Sequence, residues 1–411
     1  MACSVRSRRS WLRVVALVAL LTVGLVSNVP GQPLPAMAQE DWPLLVVDDA
    51  ATVNPELVAA PVGDPREVLP PGQTLNVPPG MTVSVAASGL GRPRFMAFDD
   101  AGNLLVAAVD EGAILRFPFA EGRLGAREVL MTGLQRPSSV ALLMAEGAQY
   151  LYVAEVHQVT RYTYDPAGAV GDAEMVIPNL PIEGAHWTRT VAIGPDGMLY
   201  LSVGSSCNVC LEAQPVRGAI SRANPDGSGF QLFAVGLRNA VGLTFQPESG
   251  DLWATVNERD MMGNEIPPDL VTIVREGANY GWPNCVPPDA APQVEGADCA
   301  GVTPPTIGIQ AHSAPLGLAF LNGEGVPEDY RGDLIVAQHG SWNRQPPAAP
   351  KLLLIDFEDG VPVGARDFAT GWQNEAGERW GRPAGVVLAP DGSLIVSDDS
   401  TGRLYRISAE R

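Results

Sequence analysis

Residues 192–201 read AIGPDGMLYL, a Pro-Asp-Gly turn between two short apolar stretches. Residues 388–396 read LAPDGSLIV and residues 97–106 read AFDDAGNLLV, so the same unit recurs far along the chain. Pro and Asp favour the turn, Gly accepts its positive φ, and the apolar runs are too short for helices. The unit therefore predicts a β-hairpin.

The hairpin unit is repeated about every 45 to 70 residues, which indicates a repeat architecture. Looser copies lie at 150–153, 245–253 and 332–336. Most copies follow a Gly-Leu-x-x-Pro stretch or a relative of it, at 89–93, 133–137, 236–239, 315–318 and 381–383. Hairpins of this kind bury their faces when they stack radially as four-stranded blades. We predict an all-β fold, a six-bladed β-propeller with four-stranded antiparallel blades.

The N-terminus predicts export. Arginines 6, 8, 9 and 13 precede the apolar run Val14–Val26, and Ala36-Met37-Ala38 offers a small-x-small cleavage site. The run is shorter than the roughly 20 residues of a membrane span, although an uncleaved N-terminal anchor stays open. We predict a signal peptide at 1–38, an N-terminal extension at 39–80 and the propeller at 81–411. The protein would then be periplasmic, secreted or on the cell surface.

The composition is strongly acidic, with 46 Asp and Glu against 27 Lys and Arg and a net charge of −19. This charge argues against a nucleic acid or an anionic membrane as partner. It would suit Ca²⁺ or a basic partner, such as an electron-transfer protein.

Four cysteines follow the predicted signal peptide, in two pairs, Cys207/Cys210 and Cys285/Cys299. An even number in an exported chain predicts two disulfides. Four cysteines allow three pairings, of which we favour pairing between neighbours. The first pair lacks the following His of a c-type haem site.

Histidine is scarce, and three of the four histidines flank first or second blade strands. His186, His312 and His339 occupy such positions, where strand ends converge on one mouth of the ring. Arg238, Asn239 and Arg382 stand at matching positions before first strands. Guanidinium groups there would suit an anion that carries carboxylates. Pairing of these arginines with Asp or Glu is the alternative.

The segment 257–265, NERDMMGNE, is rich in oxygen ligands. Ca²⁺ takes six to eight oxygens, backbone carbonyls included, but the segment does not match an EF-hand. It is either a metal site or a solvated loop. The sequence has no Gly-x-Ser-x-Gly elbow, His-Glu-x-x-His motif, phosphate loop or dinucleotide fingerprint, so hydrolase, zinc protease and nicotinamide functions are poorly supported.

Taken together, these motifs resemble the glucose/sorbosone dehydrogenase family of soluble quinoproteins, particularly its sorbosone-dehydrogenase-like branch. The resemblance covers roughly Leu69 to Arg406. It rests on HWTRT at 186–190, VGSSCNVC at 203–210, GLRN at 236–239, NYGWP at 279–283 and QHGSWNR at 338–344. It implies a propeller that binds pyrroloquinoline quinone (PQQ) and Ca²⁺ over the channel mouth and oxidises the anomeric or aldehyde carbon of sugars.

The resemblance also implies roles for individual residues. His186 would be the general base that removes the sugar hydroxyl proton while hydride moves to the quinone. Arg238 would stabilise the charge that develops on the quinone oxygens. Asn239, Asn257 and Arg382 would be further quinone contacts.

The metal and the second basic contact follow from the same resemblance. The backbone carbonyls of Glu258 and Arg259 would hold Ca²⁺. His339 and Arg344 lie near the position of a basic cofactor contact. A sugar would be the substrate, and an external acceptor, such as a cytochrome, would take the electrons.

One departure affects the predicted base. The glucose-oxidising branch has an acidic residue where this chain has Ser205, so His186 needs another orienting partner. Two alternative functions therefore stay open. One is a non-catalytic propeller that binds sugars or proteins. The other is a metal-dependent propeller lactonase, although its candidate ligands, Glu258 and Asp260, lie in a single loop.

Overall fold

The computed structural model describes residues 44–47, 49–63, 73–145, 147–289, 291–323 and 325–410. Six four-stranded antiparallel blades form a closed ring, which confirms the predicted fold. The blades, in chain order and from the first to the fourth strand, are blade 1 (Pro93–Phe98, Leu104–Ala108, Ala113–Phe117, Glu128–Met131), blade 2 (Ser139–Ala145, Ala148–Ala154, Val159–Asp165, Ala169–Ile177), blade 3 (Arg189–Ile193, Leu199–Val203, Ala219–Ala223, Gln231–Val235), blade 4 (Ala240–Phe245, Leu252–Val256, Asp269–Val274, Ile307–Ile309), blade 5 (Pro315–Phe320, Leu334–Gln338, Lys351–Glu358, Val361–Ala369) and blade 6 (Pro383–Leu388, Leu394–Asp398, Arg403–Ala409, Met81–Ala87).

The ring closes through blade 6, whose outermost strand comes from the beginning of the propeller. Met81–Ala87 pairs antiparallel with Arg403–Ala409. The two ends of the propeller are thereby hydrogen-bonded to each other, and no blade is left with an open junction.

The predicted N-terminal extension contacts the outside of the ring where it is described. Leu45–Val46 adds to blade 4 as a fifth, parallel strand beside Ile307–Ile309. Val58–Pro61 pairs with Thr74–Val77, and a bridge joins Asn76 to Thr370. The remaining short elements are Asp49–Thr52 (helix), Glu328–Tyr330 (3₁₀ helix) and the strand pairs Phe119–Ala120/Arg123–Leu124 and Cys285–Val286/Ala291–Pro292. The predicted signal peptide lies outside the described residues.

The core lies between neighbouring blades, where the alternating apolar residues of second and third strands meet. Trp253 of blade 4 is fully buried and packs edge-on against Phe320 and Phe357 of blade 5. Trp372 and Tyr405 do the same between blades 5 and 6. Such edge-on aromatic pairs fix the angle between blades beyond the gain from burial.

Buried hydroxyl groups join the first strands around the channel. The Thr255 hydroxyl of blade 4 accepts from the Gly242 N–H (2.8 Å) and donates to the Leu316 carbonyl of blade 5 (2.6 Å). Ser397 of blade 6 does the same between Gly385 N–H (2.8 Å) and the Arg94 carbonyl of blade 1 (2.7 Å). Thr190 and Ser139 make similar bridges from blade 3 to blade 4 and from blade 2 to blade 3.

Close approach of the first strands explains two glycines of the repeat. A Cβ at Gly242 would lie 2.0 Å from the Leu316 carbonyl oxygen, and a Cβ at Gly385 2.6 Å from the Arg94 carbonyl oxygen. The pairing register shifts at this same place in blades 4 and 6. These β-bulges bend the first strand and aim the residues before it into the channel mouth.

Both disulfides pair neighbouring cysteines, as favoured from the sequence. Cys207 bonds to Cys210 and Cys285 to Cys299. No helix among the residues described is long and apolar enough to cross a membrane.

Loss of a hydroxyl bridge should destabilise the fold. Ser397→Ala removes the partner of both the Gly385 N–H and the Arg94 carbonyl, so we expect the free energy of unfolding to fall by about 1–3 kcal/mol. Denaturant unfolding followed by fluorescence measures this loss. The matched control is Ser221→Ala, because Ser221 is equally buried but its hydroxyl has no hydrogen-bond partner among the described residues. Equal losses for the two variants would contradict the bridging role.

Candidate functional site

The predicted site residues lie at one end of the ring. Antiparallel blades place the loops that precede first strands at the same end as the loops that join second to third strands. We call this end the site end. It carries the predicted residues His186, Arg238, Asn239 and Arg382 before first strands, and Asn257, Glu258, Arg259, His339 and Arg344 after second strands.

His186 is oriented by the backbone of Ser205. Its Nδ1 lies 2.8 Å from the Ser205 carbonyl oxygen and 3.0 Å from the Ser205 hydroxyl oxygen, and that hydroxyl itself donates to the Cys207 carbonyl (2.7 Å). A carbonyl only accepts, so the hydrogen bonds assign the proton to Nδ1 and leave Nε2 as the acceptor. The serine at the acidic position thus supplies, through its main chain, the partner that His186 needs.

The imidazole of His186 is held neutral. Burial and the positive charges of Arg238, Arg217 and Arg189 lower its pKa to about 4, against the Ser205 carbonyl, which raises it. A neutral imidazole with a free Nε2 can take a proton at pH 7.

Arg238 is buried and lies within a cage of oxygen atoms. Its Nε and Nη2 donate to the main-chain and side-chain oxygens of Asn208 (3.1 and 3.0 Å). Nη1 donates to the carbonyls of Asn257 (3.1 Å) and Glu258 (2.6 Å), and Nη2 also reaches the Asp260 carboxylate (2.8 Å). These contacts use all five N–H groups of the guanidinium. One of the two carbonyls predicted to hold Ca²⁺ is therefore bonded to a cation of the protein itself.

The loop after the second strand of blade 4, which contributes carbonyls to this cage, is held in place by a buried carboxylate. The buried Asp269 carboxylate accepts from the Glu258 N–H and the Ala314 N–H, both at 2.8 Å, and so links blade 4 to the loop before blade 5. Burial raises the pKa of Asp269 to about 7. The side chains of Glu258 and Arg259 form a buried ion pair with each other. Neither of these two side chains is free to contact a ligand.

The two predicted asparagines lie beside the cage. The Asn257 amide donates to the Pro315 carbonyl (2.6 Å). The Asn239 side-chain oxygen is buried and has no partner among the described residues. Gly204 lies directly under it, and a Cβ there would be 2.2 Å from this oxygen and 2.7 Å from the Cβ of His186. Asn239 thus presents an unsatisfied polar atom next to the predicted base.

His339 belongs to a buried chain of hydrogen bonds that joins three blades. Its Nε2 donates to the Asp399 carboxylate (2.7 Å), whose other oxygen pairs with Arg94 (2.8 Å). Burial favours the neutral acid, but His339 and Arg94 outweigh it and keep the pKa of Asp399 well below its usual range. Burial in turn lowers the pKa of His339.

Arg382 is half-buried, and no described carboxylate pairs with it. Its Nε and Nη2 donate to the carbonyls of His339 (2.9 Å) and Gly340 (2.8 Å). Burial, then the charge of Arg379, lowers its pKa. Its Nη1 is left for an additional acceptor.

Arg344 is engaged elsewhere. Its guanidinium contacts both carboxylate oxygens of Glu265 (2.8 and 2.9 Å) and the Asn264 carbonyl (3.1 Å). His312, the third histidine grouped with the mouth, bonds to the Gly263 carbonyl (2.8 Å). Both residues support the rim loops and not the centre of the site.

Several important residues were missed from the sequence. Asn208 and Asp260 hold Arg238, Arg94 and Asp399 hold His339, and Arg217 contacts the Gly204 carbonyl (3.0 Å) beside His186. Asn208 lies inside the Cys-x-x-Cys loop, and the disulfide predicted there could have indicated that this loop has a fixed conformation at the site. Asp260 lies in the oxygen-rich segment 257–265, which suggested a metal ligand and not an arginine partner, and Arg94, Arg217 and Asp399 stand in no distinguishing pattern.

Positive charge is in excess around His186, although the chain as a whole is acidic. Arg189 and Arg217 donate to backbone carbonyls instead of carboxylates, as Arg382 does. Burial and the charge of Arg217 lower the pKa of Arg189 to about 10. Buried guanidinium groups that bond to carbonyls and not to carboxylates favour an anionic ligand.

The sequence matches the family described as TrAA12-like over residues 75–295 and 288–410. The chain therefore belongs to this family. It is similar to a pyrroloquinoline quinone-dependent pyranose dehydrogenase of Coprinopsis cinerea, with 24% identity over 82% of this chain and 55% of that protein. It is also 25% identical to a pyrroloquinoline quinone-dependent sugar dehydrogenase of Hypocrea jecorina, over 79% of this chain and 87% of that protein.

The solved holo form of the PQQ domain of the Coprinopsis pyranose dehydrogenase superposes with a TM-score of 0.72 at 24% identity, over 84% of this chain and all of that domain. This likeness supports the propeller fold. The resemblance to soluble quinoprotein sugar dehydrogenases drawn from the sequence is thus confirmed. The chain spans only about half the length of the Coprinopsis relative.

The cage makes a prediction about Asn208. Asn208→Ala removes one of the oxygens that hold Arg238, and also the side-chain bonds to the Asp260 main chain. We expect a loss of about 1–3 kcal/mol in the free energy of unfolding, because a buried charged donor loses its acceptor. The control is Asn374→Ala, in an exposed turn whose side chain contacts only Glu378. A loss for Asn208→Ala no larger than that of the control would contradict the cage.

Proposed function

We propose that this protein is an exported PQQ-dependent dehydrogenase of aldoses or related sugar aldehydes. The observation that carries the proposal is the excess of buried guanidinium groups around a neutral histidine whose Nε2 has no hydrogen-bond partner among the described residues. An anionic redox cofactor next to a base is the arrangement that uses both features. The names of the relatives in Coprinopsis and Hypocrea agree with it.

The residues at the site end fit PQQ, which carries several carboxylates. Arg382 has one nitrogen left for an acceptor, and Asn239 has a buried oxygen without a partner. These two residues would hold the cofactor, with Asn257 and His339 beside them, and Arg238 would contact it after leaving the Glu258 carbonyl. Arg344 is left out of this set, because Glu265 already engages it.

When bound, the quinone would accept the hydride and its two electrons from the carbon that is oxidised. The rest of the reaction belongs to this chain. Nε2 of His186 takes the proton of the sugar hydroxyl, while the Ser205 carbonyl holds Nδ1–H and keeps the ring in place. The positive charge of Arg238 stays buried beside the reacting centre and disfavours a charged imidazole before the reaction.

Ca²⁺ does not fit the site as it is arranged. The Glu258 carbonyl, one of the two predicted ligands, is bonded to Arg238 at 2.6 Å. Calcium remains part of the proposal only as an ion that enters together with the quinone, after Arg238 has left this oxygen.

The alternative functions have less support. The only group of three His, Cys, Asp or Glu ligands found within the described residues is Cys207, Cys210 and Glu212, and its cysteines form a disulfide. A lactonase metal site therefore lacks its carboxylates. A non-catalytic propeller would bind the quinone or a sugar without turnover.

Export and an external acceptor complete the proposal. Two disulfides are typical of an oxidising compartment. The acidic surface would suit a basic electron-transfer protein, such as a cytochrome, as the acceptor.

Dye-linked turnover tests this function. PQQ-loaded protein should oxidise an aldose, and His186→Gln should lower kcat by about 10² to 10⁴ because the base is lost. Because the pKa of His186 lies at about 4 without the cofactor, kcat/KM should stay level from pH 8 to about pH 6.5. Its acid limb should have a midpoint below the ordinary value of about 6.5.

The matched control is His312→Gln, a buried histidine of the rim loops whose Nε2 bonds to the Gly263 carbonyl. It should keep the turnover of the wild type. Equal activity of His186→Gln and wild type, or an acid limb with a midpoint above pH 7, would contradict the role of His186. Quinone binding without turnover would favour the non-catalytic alternative.

The Arg238 cage makes a prediction about calcium. Isothermal titration of the cofactor-free protein with Ca²⁺ should show no saturable binding, whereas Arg238→Gln, which frees the Glu258 carbonyl, should allow it. The PQQ-loaded wild-type protein should bind Ca²⁺. Equal calcium binding by the cofactor-free wild-type protein and Arg238→Gln would contradict the arrangement of Arg238.

A further inference from the structure

Three arginines surround the indole ring of Trp187, the residue directly after the proposed base. The guanidinium carbon of Arg136 lies 4.3 Å from the ring centre, that of Arg94 5.4 Å and that of Arg92 5.6 Å. These residues come from blades 1, 2 and 3, and they form the rim of the site end on the side of His186. Three cations at one aromatic ring in an acidic protein call for a physical reason.

The three arginines differ in their partners. Arg94 pairs with Asp399 and Arg92 with Asp110. Arg136 has no hydrogen-bond or ion-pair partner among the described residues, and only the indole face supports it. Partial burial, and then the charge of Arg92, lowers the pKa of Arg136. One positive charge at this rim is therefore left without a counter-charge.

The backbone of these arginines is unusual in the same way. Arg92 and Arg136 occupy the same position of the Gly-Leu-x-Arg-Pro stretch in consecutive blades, and both have positive φ, 45° and 49°. Side chains other than glycine seldom adopt this conformation, which costs of order 1 kcal/mol or more. Both blades accept that strain, and both direct an arginine to the same tryptophan.

We propose that Arg136, held on the face of Trp187, forms a carboxylate subsite, so that the preferred substrate is an acidic sugar, an aldose with a carboxylate such as a hexuronic acid. This inference rests on the proposed dehydrogenase function and names its substrate class. A carboxylate accepts two parallel N–H bonds from a guanidinium. Trp187 holds Arg136 in place for that contact, and its position in the chain puts the subsite beside His186.

The cofactor also has carboxylates, so the same chemistry has two sources. The cofactor contacts proposed above come from blades 4, 5 and 6, whereas this subsite lies on blades 1 to 3. The arrangement favours the substrate as the source. The experiment separates the two.

The test compares sugars that differ only in the carboxylate, glucuronate with glucose and galacturonate with galactose. In the PQQ-loaded protein we expect a higher kcat/KM for the acidic member of each pair. Arg136→Gln should lower the ratio of acid to neutral sugar by about tenfold or more, which is the scale of one charge-assisted hydrogen bond. The affinity for PQQ should stay the same.

The matched control is Arg123→Gln, which makes the same charge change. Arg123 is exposed and lies between the third and fourth strands of blade 1, at the opposite end of the ring. This variant should leave the ratio unchanged.

Two outcomes of this comparison overturn the proposal. An unchanged ratio in Arg136→Gln shows that no carboxylate binds there, and a weaker PQQ affinity in that variant assigns the subsite to the cofactor. If neither sugar is oxidised, the proposed function has failed, and calorimetry on the PQQ-loaded protein decides the subsite separately. Glucuronate should then bind more tightly than glucose, and Arg136→Gln should remove the difference. Equal binding of the two sugars contradicts the subsite.

Discussion

The closure of the inner ring is the constraint on which the site depends. Buried hydroxyls of Thr255 and Ser397 bond to main-chain groups of their own blade and of the next blade. Among the described residues the blades are separate sheets, so the hydroxyl bridges contribute to the spacing of the first strands. The loops before those strands start from fixed positions as a result. His186 and Arg238 can therefore meet at one end of the ring, although about 50 residues separate them.

The site end keeps an excess of positive charge within an otherwise acidic protein. Arg189, Arg217 and Arg382 bond to backbone carbonyls, which satisfy their N–H groups without cancelling their charge. A carboxylate partner would have cancelled it. Burial lowers the pKa of His186, and the charges of Arg217 and Arg189 lower it further and favour an anionic ligand. The same groups thus keep the base neutral and attract the proposed cofactor.

Local patterns made the fold and the gathering of the site predictable. The hairpin at 192–201 and its copies specify the turn and both strands, and ring geometry then brings the residues before first strands together. The hydrogen-bond and ion-pair partners of the site residues were not predictable, because they depend on the conformation of the loops. The main-chain carbonyl that orients His186 belongs to Ser205, whose side chain suggested a missing partner. Arg344 stands in the sequence near the position of a cofactor contact, but its guanidinium pairs with Glu265.

Equilibrium titration of the purified protein with PQQ, followed by absorbance, tests the central claim most directly. The account predicts saturable binding in the micromolar range or tighter. It also predicts about tenfold weaker binding in Arg382→Gln, since one charge-assisted hydrogen bond is lost. Absence of saturable binding to the wild-type protein would contradict the account.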